Sequence, residues 1–291
     1  MRTGQPYDRS TQDIGNIVAL EHVNVTIPDQ VTATNFYVVG LGFTRDPYLM
    51  VGTDNMWVNI NQQQFHLPTG LPQAVQGHVG LLVPDLDALV ARLDAVRPKL
   101  AGTSFDFAVE DKHVAVTCPW GNRMRCQGPG PEYGELTLGL VYVEVPVAPG
   151  SAEGIARFYR QIMGAPAAVV PDGGGAVARV QVGHRQELRF RETAQTPRPY
   201  DGHHVAVYVA DFSGPHRRLA ERGLVSEESN PVQYRFKDIA DPDTGTVLVT
   251  LEHEVRSVTH PMYLRPLVNR NPAQRQPTYQ RGRDAFVPGM V

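Results

Sequence analysis

The chain repeats one order of strands and helices, and this repeat constrains its fold more than any other feature of the sequence. Two pairs of segments align without gaps: LEHVNVTIPD (20–29) with LGLVYVEVPV (138–147), and GHVGLLVPDLDALVARL (77–93) with HHVAVYVADFSGPHRRL (203–219). Apolar residues first alternate, as in a strand, and in the second pair they then follow the spacing of a helix. Residues 17–132 and 136–255 are therefore two copies of one plan.

Each copy contains two similar halves, because HVNVTI (22–27) and HVGLLV (78–83) both run through a Pro/Asp turn into a helix. We predict a strand, a helix and three more strands in each half, which gives an α+β protein with four βαβββ units. The predicted organisation is an N-terminal tail (1–16), a first domain (17–132), a second domain (133–255) and an extended C-terminal arm (256–291).

Composition and charge limit the partners of the chain. The formal charge of −3 gives no reason to expect nucleic acid, and no apolar run reaches the length of a membrane span. The two cysteines, Cys118 and Cys126, lie in strand-like runs and imply neither a disulfide framework nor a thiolate metal site. We expect a cytoplasmic protein. The arginine-rich arm is expected to pack on its own domain or on a neighbouring subunit.

Alternation along the strands assigns polar side chains to one face. Val23 and Val25 point one way, towards the helices, so His22 points the other way. The same reasoning applies to the strands around residues 56–61, 64–67, 78–83 and 123–127. This polar face holds His22, Trp57, Asn59, Asn61, Gln64, His66, His78 and Arg125.

The ordered segments HVNVTIPD, FYVVGLGF, GHVGLLVPDLDAL and DPDTG resemble the vicinal oxygen chelate superfamily, which includes glyoxalases, fosfomycin-resistance proteins, bleomycin-binding proteins and extradiol dioxygenases. The resemblance runs from residue 17 to residue 254 and is greatest to the extradiol dioxygenases, which also have two paired domains. It implies two curved mixed-sheet barrels, with helices on the convex faces and a cavity on each concave face.

The resemblance also implies a metal site formed by inward positions on the first, fourth, fifth and eighth strands of a domain. In the first domain these positions are His22, His66, His78 and Arg125, where Arg125 replaces the usual glutamate. Three imidazoles suit a divalent ion, with Fe(II) expected first and Zn(II), Mn(II) or Ni(II) as alternatives. The competing interpretation is a metal-free cavity. Arg125 either binds substrate beside the metal or forms a salt bridge.

The same count in the second domain predicts no metal, because only His204 among the four equivalent residues can bind one. The predicted inward face there is rich in charges, and two interpretations stay open: an ion-pair network that closes the cavity, or a pocket for an acidic ligand. Its residues are Tyr142, Glu144, Arg179, Glu187, Arg189, Arg191, His204 and Tyr208.

These features predict a metal-dependent oxidoreductase of the ring-cleaving dioxygenase type. Its substrate would be a small molecule that chelates the metal through two neighbouring or 1,3-related oxygens, with Arg125, Trp57, Asn59 and Gln64 around it. The alternatives are a non-redox lyase or isomerase that uses the same metal, and a metal-free binding or resistance protein. By analogy with the superfamily we expect a homodimer.

Overall fold

Sixteen strands form two mixed sheets of eight strands in the computed structural model, which describes residues 8–49, 54–173 and 175–270. The first eight strands are β1 (Ile17–Asn24), β2 (Thr44–Arg45), β3 (Asn55–Ile60), β4 (Gln63–Pro68), β5 (His78–Leu82), β6 (Asp106–Val109), β7 (Val114–Thr117) and β8 (Arg123–Gln127). The last eight are β9 (Gly139–Val147), β10 (Ala167–Pro171), β11 (Ala176–Gly183), β12 (Gln186–Glu192), β13 (His204–Val209), β14 (Val225–Asn230), β15 (Gln233–Ala240) and β16 (Val247–Ser257).

One helix follows each of the strands β1, β5, β9 and β13. The helices are α1 (Gln30–Ala33), α2 (Leu86–Val96), α3 (Ala152–Phe158) and α4 (Ser213–Ala220). A π-helical segment extends α1 (Thr34–Gly40) and α3 (Tyr159–Met163), and a 3-10 segment extends α2 (Arg97–Leu100). Two isolated 3-10 turns lie at Arg9–Gln12 and Pro131–Tyr133. None of the described helices is both long enough and apolar enough to cross a membrane.

The Pro/Asp turns in the sequence explain where the first two helices begin. Asp29 accepts hydrogen bonds from the backbone N–H groups of Val31 and Thr32, and Asp85 accepts one from Ala88 at 2.9 Å. Each carboxylate satisfies N–H groups that have no partner inside the helix. The turn therefore ends a strand and starts a helix on the same side of the sheet.

The two sheets have the same internal symmetry. The first sheet has the order β14-β15-β16-β13-β1-β4-β3-β2, and the second has the order β10-β11-β12-β9-β5-β8-β7-β6. In the first sheet β1 and β13 pair antiparallel at the centre, and each pairs in parallel with the last strand of its own group, β4 or β16. The pairs β5–β9, β5–β8 and β9–β12 repeat this arrangement in the second sheet.

The resemblance implied that the first, fourth, fifth and eighth strands of the first domain share one polar face, and the strand order corrects this. Residues 17–132 contribute β1–β4 to the first sheet and β5–β8 to the second, and residues 133–255 are divided in the same way. Neither range closes a sheet by itself. The physical reason is that β1 presents the same apolar face whichever strand lies beside it, so alternation does not distinguish β5 from β13 as its neighbour.

The predicted terminal segments are only partly described. The expected N-terminal tail contains the 3-10 turn Arg9–Gln12, and residues 1–7 lie outside the described residues. The expected C-terminal arm begins inside β16, continues to residue 270 and then leaves the described range, so its part at 271–291 stays a prediction.

The hydrophobic core lies between the sheets and the helices, as the alternation predicts. Val23 and Val79 point into it from the central strands, and Leu89 and Leu93 point into it from α2; each of the four is at most 1% exposed. Burial of each such side chain stabilises the fold by about 1.5 to 3 kcal/mol. The opposite faces of the sheets carry the polar residues.

Gln186 joins the two sheets across this core. Its side-chain amide donates to the carbonyl oxygens of Leu20, on β1, and Leu140, on β9, and its amide oxygen accepts from the backbone N–H of Leu20 at 3.0 Å. The residue is 5% exposed, so these three bonds satisfy an amide that burial would otherwise penalise. They fix the central strand of one sheet against the central strand of the other.

We predict that Gly77→Ala destabilises the protein by about 2 to 3 kcal/mol. A Cβ on Gly77 would lie 1.7 Å from the carbonyl oxygen of Glu144, a backbone atom of the neighbouring strand that cannot move without disturbing the β5–β9 pair. Urea denaturation measures the change in the free energy of unfolding. The matched control is Gly128→Ala, where the nearest atom is 3.8 Å away in the Leu86 side chain. Equal stability of the two variants would contradict the close packing of β5 on β9.

Candidate metal centre

Three histidines meet on the polar face of the first sheet. His22 lies on β1, His66 on β4 and His204 on β13, and one nitrogen from each ring lies within 4.8 Å of the other two. The ring centroid of His22 is 5.6 Å from that of His66 and 5.6 Å from that of His204. We call this set the histidine cluster.

Strand pairing brings the three rings together. Asn24 stands opposite both His66, across the parallel β1–β4 pair, and His204, across the antiparallel β1–β13 pair. His22 is two residues before Asn24, so its ring lies on the same face of the sheet, between the other two strands. The cluster therefore exists because β1 lies between β4 and β13.

In each ring of the histidine cluster, one buried nitrogen makes no hydrogen bond to the described residues. The Nε2 atoms of His22, His66 and His204 are buried, and none of them has a hydrogen-bond partner among the described residues. Burying polar atoms without partners costs free energy, so three such atoms at one place are an unusual arrangement for a purely structural core. In its unprotonated form, a nitrogen of this kind is the lone-pair donor that a divalent metal ion requires.

Burial also keeps two of these rings neutral. It lowers the pKa of His66 to about 2, with a further contribution from His22, Arg256 and Arg235. Burial lowers the pKa of His204 strongly as well, followed by repulsion from His22 and Arg235. Only the neutral imidazole has a lone pair for a metal, so the environment favours the ligating form.

The neighbours of the rings fix their orientation. Glu21 accepts a hydrogen bond from Nδ1 of His22 at 2.5 Å, which leaves the Nε2 of that ring as the lone-pair atom. Burial alone would raise the pKa of Glu21, but contacts with His22 and Arg256 outweigh it and lower the pKa. His66 is held by Asn24, whose side-chain amide lies 2.7 Å from Nδ1, and by the indole of Trp57, which stacks on it at 3.8 Å.

Carboxylates from β16 border the cluster. Glu254 has a carboxylate oxygen 3.6 Å from Nε2 of His204, and Glu252 has one 3.7 Å from Nδ1 of the same ring. Arg235 forms ion pairs with both acids, and Arg256 forms ion pairs with Glu254 and with Glu21. The acids are thus held in place by arginines and present negative charge to the neutral imidazoles.

Three of the four residues expected to surround a substrate, Trp57, Asn59 and Gln64, are buried. Trp57 is 7% exposed and packs against His66 and His22. Asn59 is fully buried and donates to the carbonyl oxygen of Val268, and Gln64 donates to Asn59 and to Asp46. Their contacts support the histidines and the C-terminal segment. Their predicted roles in substrate binding stay predictions.

The C-terminal segment 258–270 covers part of this face. Asn269 exchanges two hydrogen bonds with the backbone of Asn61, and Arg265 forms an ion pair of 2.7 Å with the buried carboxylate of Asp46. A cavity of about 840 Å³ lies between this segment, β1 and the turn from β3 to β4. Glu21 and Gln64 are on its wall, so the cavity reaches the residues around the histidine cluster.

Comparisons with known proteins agree on the fold. No protein-family model matches the sequence, and no curated protein matches it. Among solved structures, glyoxalase I from Zea mays is 13% identical, covers 86% of this chain and 95% of its own, and has a TM-score of 0.57. A Bacillus subtilis strain 168 protein to which a dioxygenase function is ascribed is 16% identical and has a TM-score of 0.52. The match covers 83% of this chain and 86% of the B. subtilis protein.

The chain has the vicinal oxygen chelate fold. These matches cover most of both chains and so establish a shared architecture. Because the sequence identities are below one fifth, the activity has to be argued from the site. The resemblance seen in the sequence is therefore confirmed at the level of the fold.

Within the vicinal oxygen chelate fold, two of the expected site residues lie away from the histidine cluster. His78 is on β5 and Arg125 is on β8, both in the second sheet. The Nε2 of His78 is 3.2 Å from the hydroxyl of Tyr142, and burial lowers the pKa of His78 to about 4, although Glu144 opposes the shift. His204 takes the place that we expected for His78, because β13 and not β5 lies beside β1.

Sequence reasoning missed His204 and Glu254 as members of this site. His204 occupies the same position in HHVAV (203–207) as His22 in EHVNV (21–25), which was a usable signal once β1 was paired with β13. In the second domain, the position four residues after the turn glycine Gly245, equivalent to Arg125 after Gly121, is Val249 and not Glu254. The strand β16 has eleven residues, and its pairing with β15 is irregular, so a fixed count from the turn does not reach the residue beside His204.

We predict that Arg265→Ala lowers the free energy of unfolding at pH 7 by about 2 kcal/mol, because it leaves a buried carboxylate without its cation. Burial alone would raise the pKa of Asp46, but Arg265 and the N–H groups of Tyr48 and Leu49 lower it. The ion pair therefore stabilises the fold fully above the unfolded-state pKa of an aspartate, about 3.9. This stabilisation is lost as the pH falls through the folded-state pKa of Asp46.

Urea denaturation at pH 7 and pH 3 measures this difference. The difference in the free energy of unfolding between the wild type and Arg265→Ala should be large at pH 7 and smaller at pH 3. The control is Arg217→Ala, an exposed arginine on α4, which should change stability by less than about 0.5 kcal/mol at either pH. An Arg265→Ala effect that is independent of pH would contradict the role of Asp46.

Proposed function

We propose that this protein is a metal-dependent enzyme of the dioxygenase type, with the metal bound by His22, His66 and His204. The observation that carries the proposal is the convergence of three histidine rings, each with a buried Nε2 atom that has no hydrogen-bond partner among the described residues. The donor set fits a divalent ion, since neutral imidazole binds Fe(II), Zn(II) and related metals and leaves coordination positions for a substrate.

The residues around the cluster prepare the rings for this role. Glu21 holds the proton on Nδ1 of His22 and so directs Nε2 into the cluster, in the manner of the carboxylate–histidine pairs that support many metal sites. His66 needs the same tautomer. His66 carries its proton on Nδ1 when the Asn24 amide group is flipped, so that the amide oxygen lies next to Nδ1 and accepts the hydrogen bond. The flip exchanges the amide oxygen and nitrogen and requires no other movement.

The charge around the site favours a substrate that binds as an anion. Three neutral imidazoles leave the charge of a divalent ion uncompensated, and Arg235 and Arg256 already neutralise much of the charge on Glu254 and Glu252. When bound, such an ion supplies Lewis-acid polarisation of substrate oxygens and, as Fe(II), access to dioxygen. A catecholate or a β-diketonate brings two oxygens and one negative charge.

The cavity beside Glu21 and Gln64 supports this assignment, because it offers space for the body of a small substrate. Tyr208 lines the same cavity, and burial followed by the charge of Glu21 raises its pKa well above the usual value. Its hydroxyl therefore stays protonated and can donate a hydrogen bond to a substrate oxygen.

A second candidate is a non-redox lyase or isomerase that uses the same ligands. Glu254 favours it, because a carboxylate 3.6 Å from the cluster can serve as a fourth ligand or as a base for proton abstraction. The likeness to the fold of maize glyoxalase I agrees with both candidates, as does that to the B. subtilis protein.

We predict that the purified wild-type protein contains about one divalent metal ion per chain and that His66→Ala and His204→Ala lose most of it. Elemental analysis by plasma mass spectrometry measures the content. The matched control is His78→Ala, a half-buried histidine from the other sheet, which should keep the wild-type content. Metal loss in His78→Ala with retention in His204→Ala would overturn the proposed ligand set.

We further predict that protein reconstituted with Fe(II) consumes dioxygen when catechol or acetylacetone is added and that protein reconstituted with Zn(II) does not. An oxygen electrode measures uptake, and His204→Ala mixed with the same amount of Fe(II) is the control for iron in solution. Binding of the probes without any dioxygen uptake would favour the lyase or isomerase. Unchanged probe binding after complete metal removal would favour a metal-free binding protein.

A further inference from the structure

The polar face of the second sheet concentrates arginines. Five adjacent strands of this sheet, β8, β5, β9, β12 and β11, place five arginines and two glutamates on the side away from the helices. We call this set, with His78 and Tyr142, the arginine face: His78, Arg123, Arg125, Tyr142, Glu144, Arg179, Glu187, Arg189 and Arg191.

Part of this charge is compensated internally. Arg191 forms two hydrogen bonds with Glu144, at 2.8 and 3.3 Å, and a further ion pair with Asp172. Arg179 forms two with Glu187, at 2.6 and 3.2 Å. The expected ion-pair network is therefore present, but it uses the two glutamates of the face mainly for Arg191 and Arg179.

Arg125 has no compensation of this kind. It is exposed, and it has no hydrogen bond or ion pair with any residue of the described ranges 8–49, 54–173 and 175–270. Arg189 shares Glu187 with Arg179 through one bond of 2.8 Å, so most of its donors remain available. The face thus carries excess positive charge from Arg125 and Arg189, which lie on the same side of the sheet.

Tyr142 brings Arg189 towards Arg125. Gly80, on β5, stands between Tyr142 on β9 and Arg125 on β8. The Tyr142 ring lies over Gly80, since a Cβ there would be 2.1 Å from the ring, and the Arg189 guanidinium lies 3.8 Å from the ring centroid. Stacking therefore shifts the Arg189 charge from β12 across β9, towards the strand next to Arg125.

The base of this arrangement is rigid. Tyr142 is 1% exposed and packs with Leu82, Tyr133 and Val141 in a small apolar cluster separate from the main core. Its hydroxyl lies 3.2 Å from Nε2 of His78. A fixed ring holds the guanidinium above it at low entropic cost, so the position is organised before a ligand binds.

We propose that the arginine face binds a small organic or inorganic dianion between Arg125 and Arg189, above Tyr142 and Gly80. Two guanidinium groups on the same face of a sheet attract an anion into the space between them, and their planar donors match carboxylate and phosphate oxygens. This site is separate from the histidine cluster and does not depend on the proposed metal chemistry.

The test is calorimetric titration of the full-length protein with succinate and, separately, with inorganic phosphate, in low-salt buffer at pH 7. We expect saturable binding of at least one probe, weakened roughly tenfold or more by Arg125→Ala and by Arg189→Ala. The preferred probe tells a dicarboxylate site from a phosphate site. Raising the salt concentration should weaken binding, as expected for charges near the surface.

Two controls locate the site. Arg217→Ala removes an exposed arginine from α4 and should bind like the wild type. His66→Ala should also bind like the wild type, because His66 lies in the first sheet. The proposal would be overturned if the wild type did not bind either probe, or if Arg217→Ala weakened binding as much as Arg125→Ala does. It would also be overturned if His66→Ala lost binding while Arg125→Ala kept it.

A further variant tests the geometry without changing a charge. Gly80→Ala would displace the Tyr142 ring and the guanidinium stacked on it, and it should weaken binding of the same probe severalfold. Circular dichroism and thermal melting verify that the variant is folded. Binding equal to that of the wild type in folded Gly80→Ala would show that the stack on Tyr142 does not organise the site and would overturn the proposal in this form.

Discussion

The antiparallel pairing of β1 with β13 is the contact on which the rest of the first sheet depends. It places Asn24 opposite His204 and joins four strands from the start of the described chain to four from its end. Without it, His22 and His66 would still be neighbours across β1 and β4, but a pair of imidazoles is a poor site for a divalent ion. The third ring comes from residues far away in the sequence.

The same pairing mode gives the second sheet a different chemistry. The β5–β9 contact is equivalent to the β1–β13 contact, yet it brings together His78, Tyr142 and Glu144 where the first sheet has histidines. One architecture thus supports two polar faces, one with a cluster of histidines and one rich in arginines. The difference arises entirely from the side chains at equivalent positions of the central strands.

Local patterns in the sequence were enough to predict much of this structure. Alternation identified the faces of β1, β4, β5 and β8 correctly, since Val23, Val79 and Met124 are buried and Arg125 is exposed. The Pro/Asp turns identified the starts of α1 and α2. These features depend on residues close together in the chain, for which periodicity and capping are direct physical signals.

The partner of β1 could not be predicted in this way. Strands β5 and β13 begin with the similar sequences HVGLL and HVAVY, and each presents a histidine on its polar face and aliphatic residues on its apolar face. Either neighbour would bury the apolar side of β1 equally well, so the choice depends on the packing of the whole chain. This one ambiguity explains why His78 was expected at the cluster and His204 was not.

The nesting of the two sheets has a consequence for biosynthesis. Strands β5 to β12 are contiguous in the chain, so the second sheet has all its strands once Glu192 has left the ribosome. Strand β1 is made first, yet its partner β13 begins only at His204, and β16 ends at Ser257. Until then one edge of β1 stays unpaired, a state in which nascent chains are prone to associate. The histidine cluster is therefore completed late in synthesis. Its last strand, β13, joins β1 when the second sheet can already be folded.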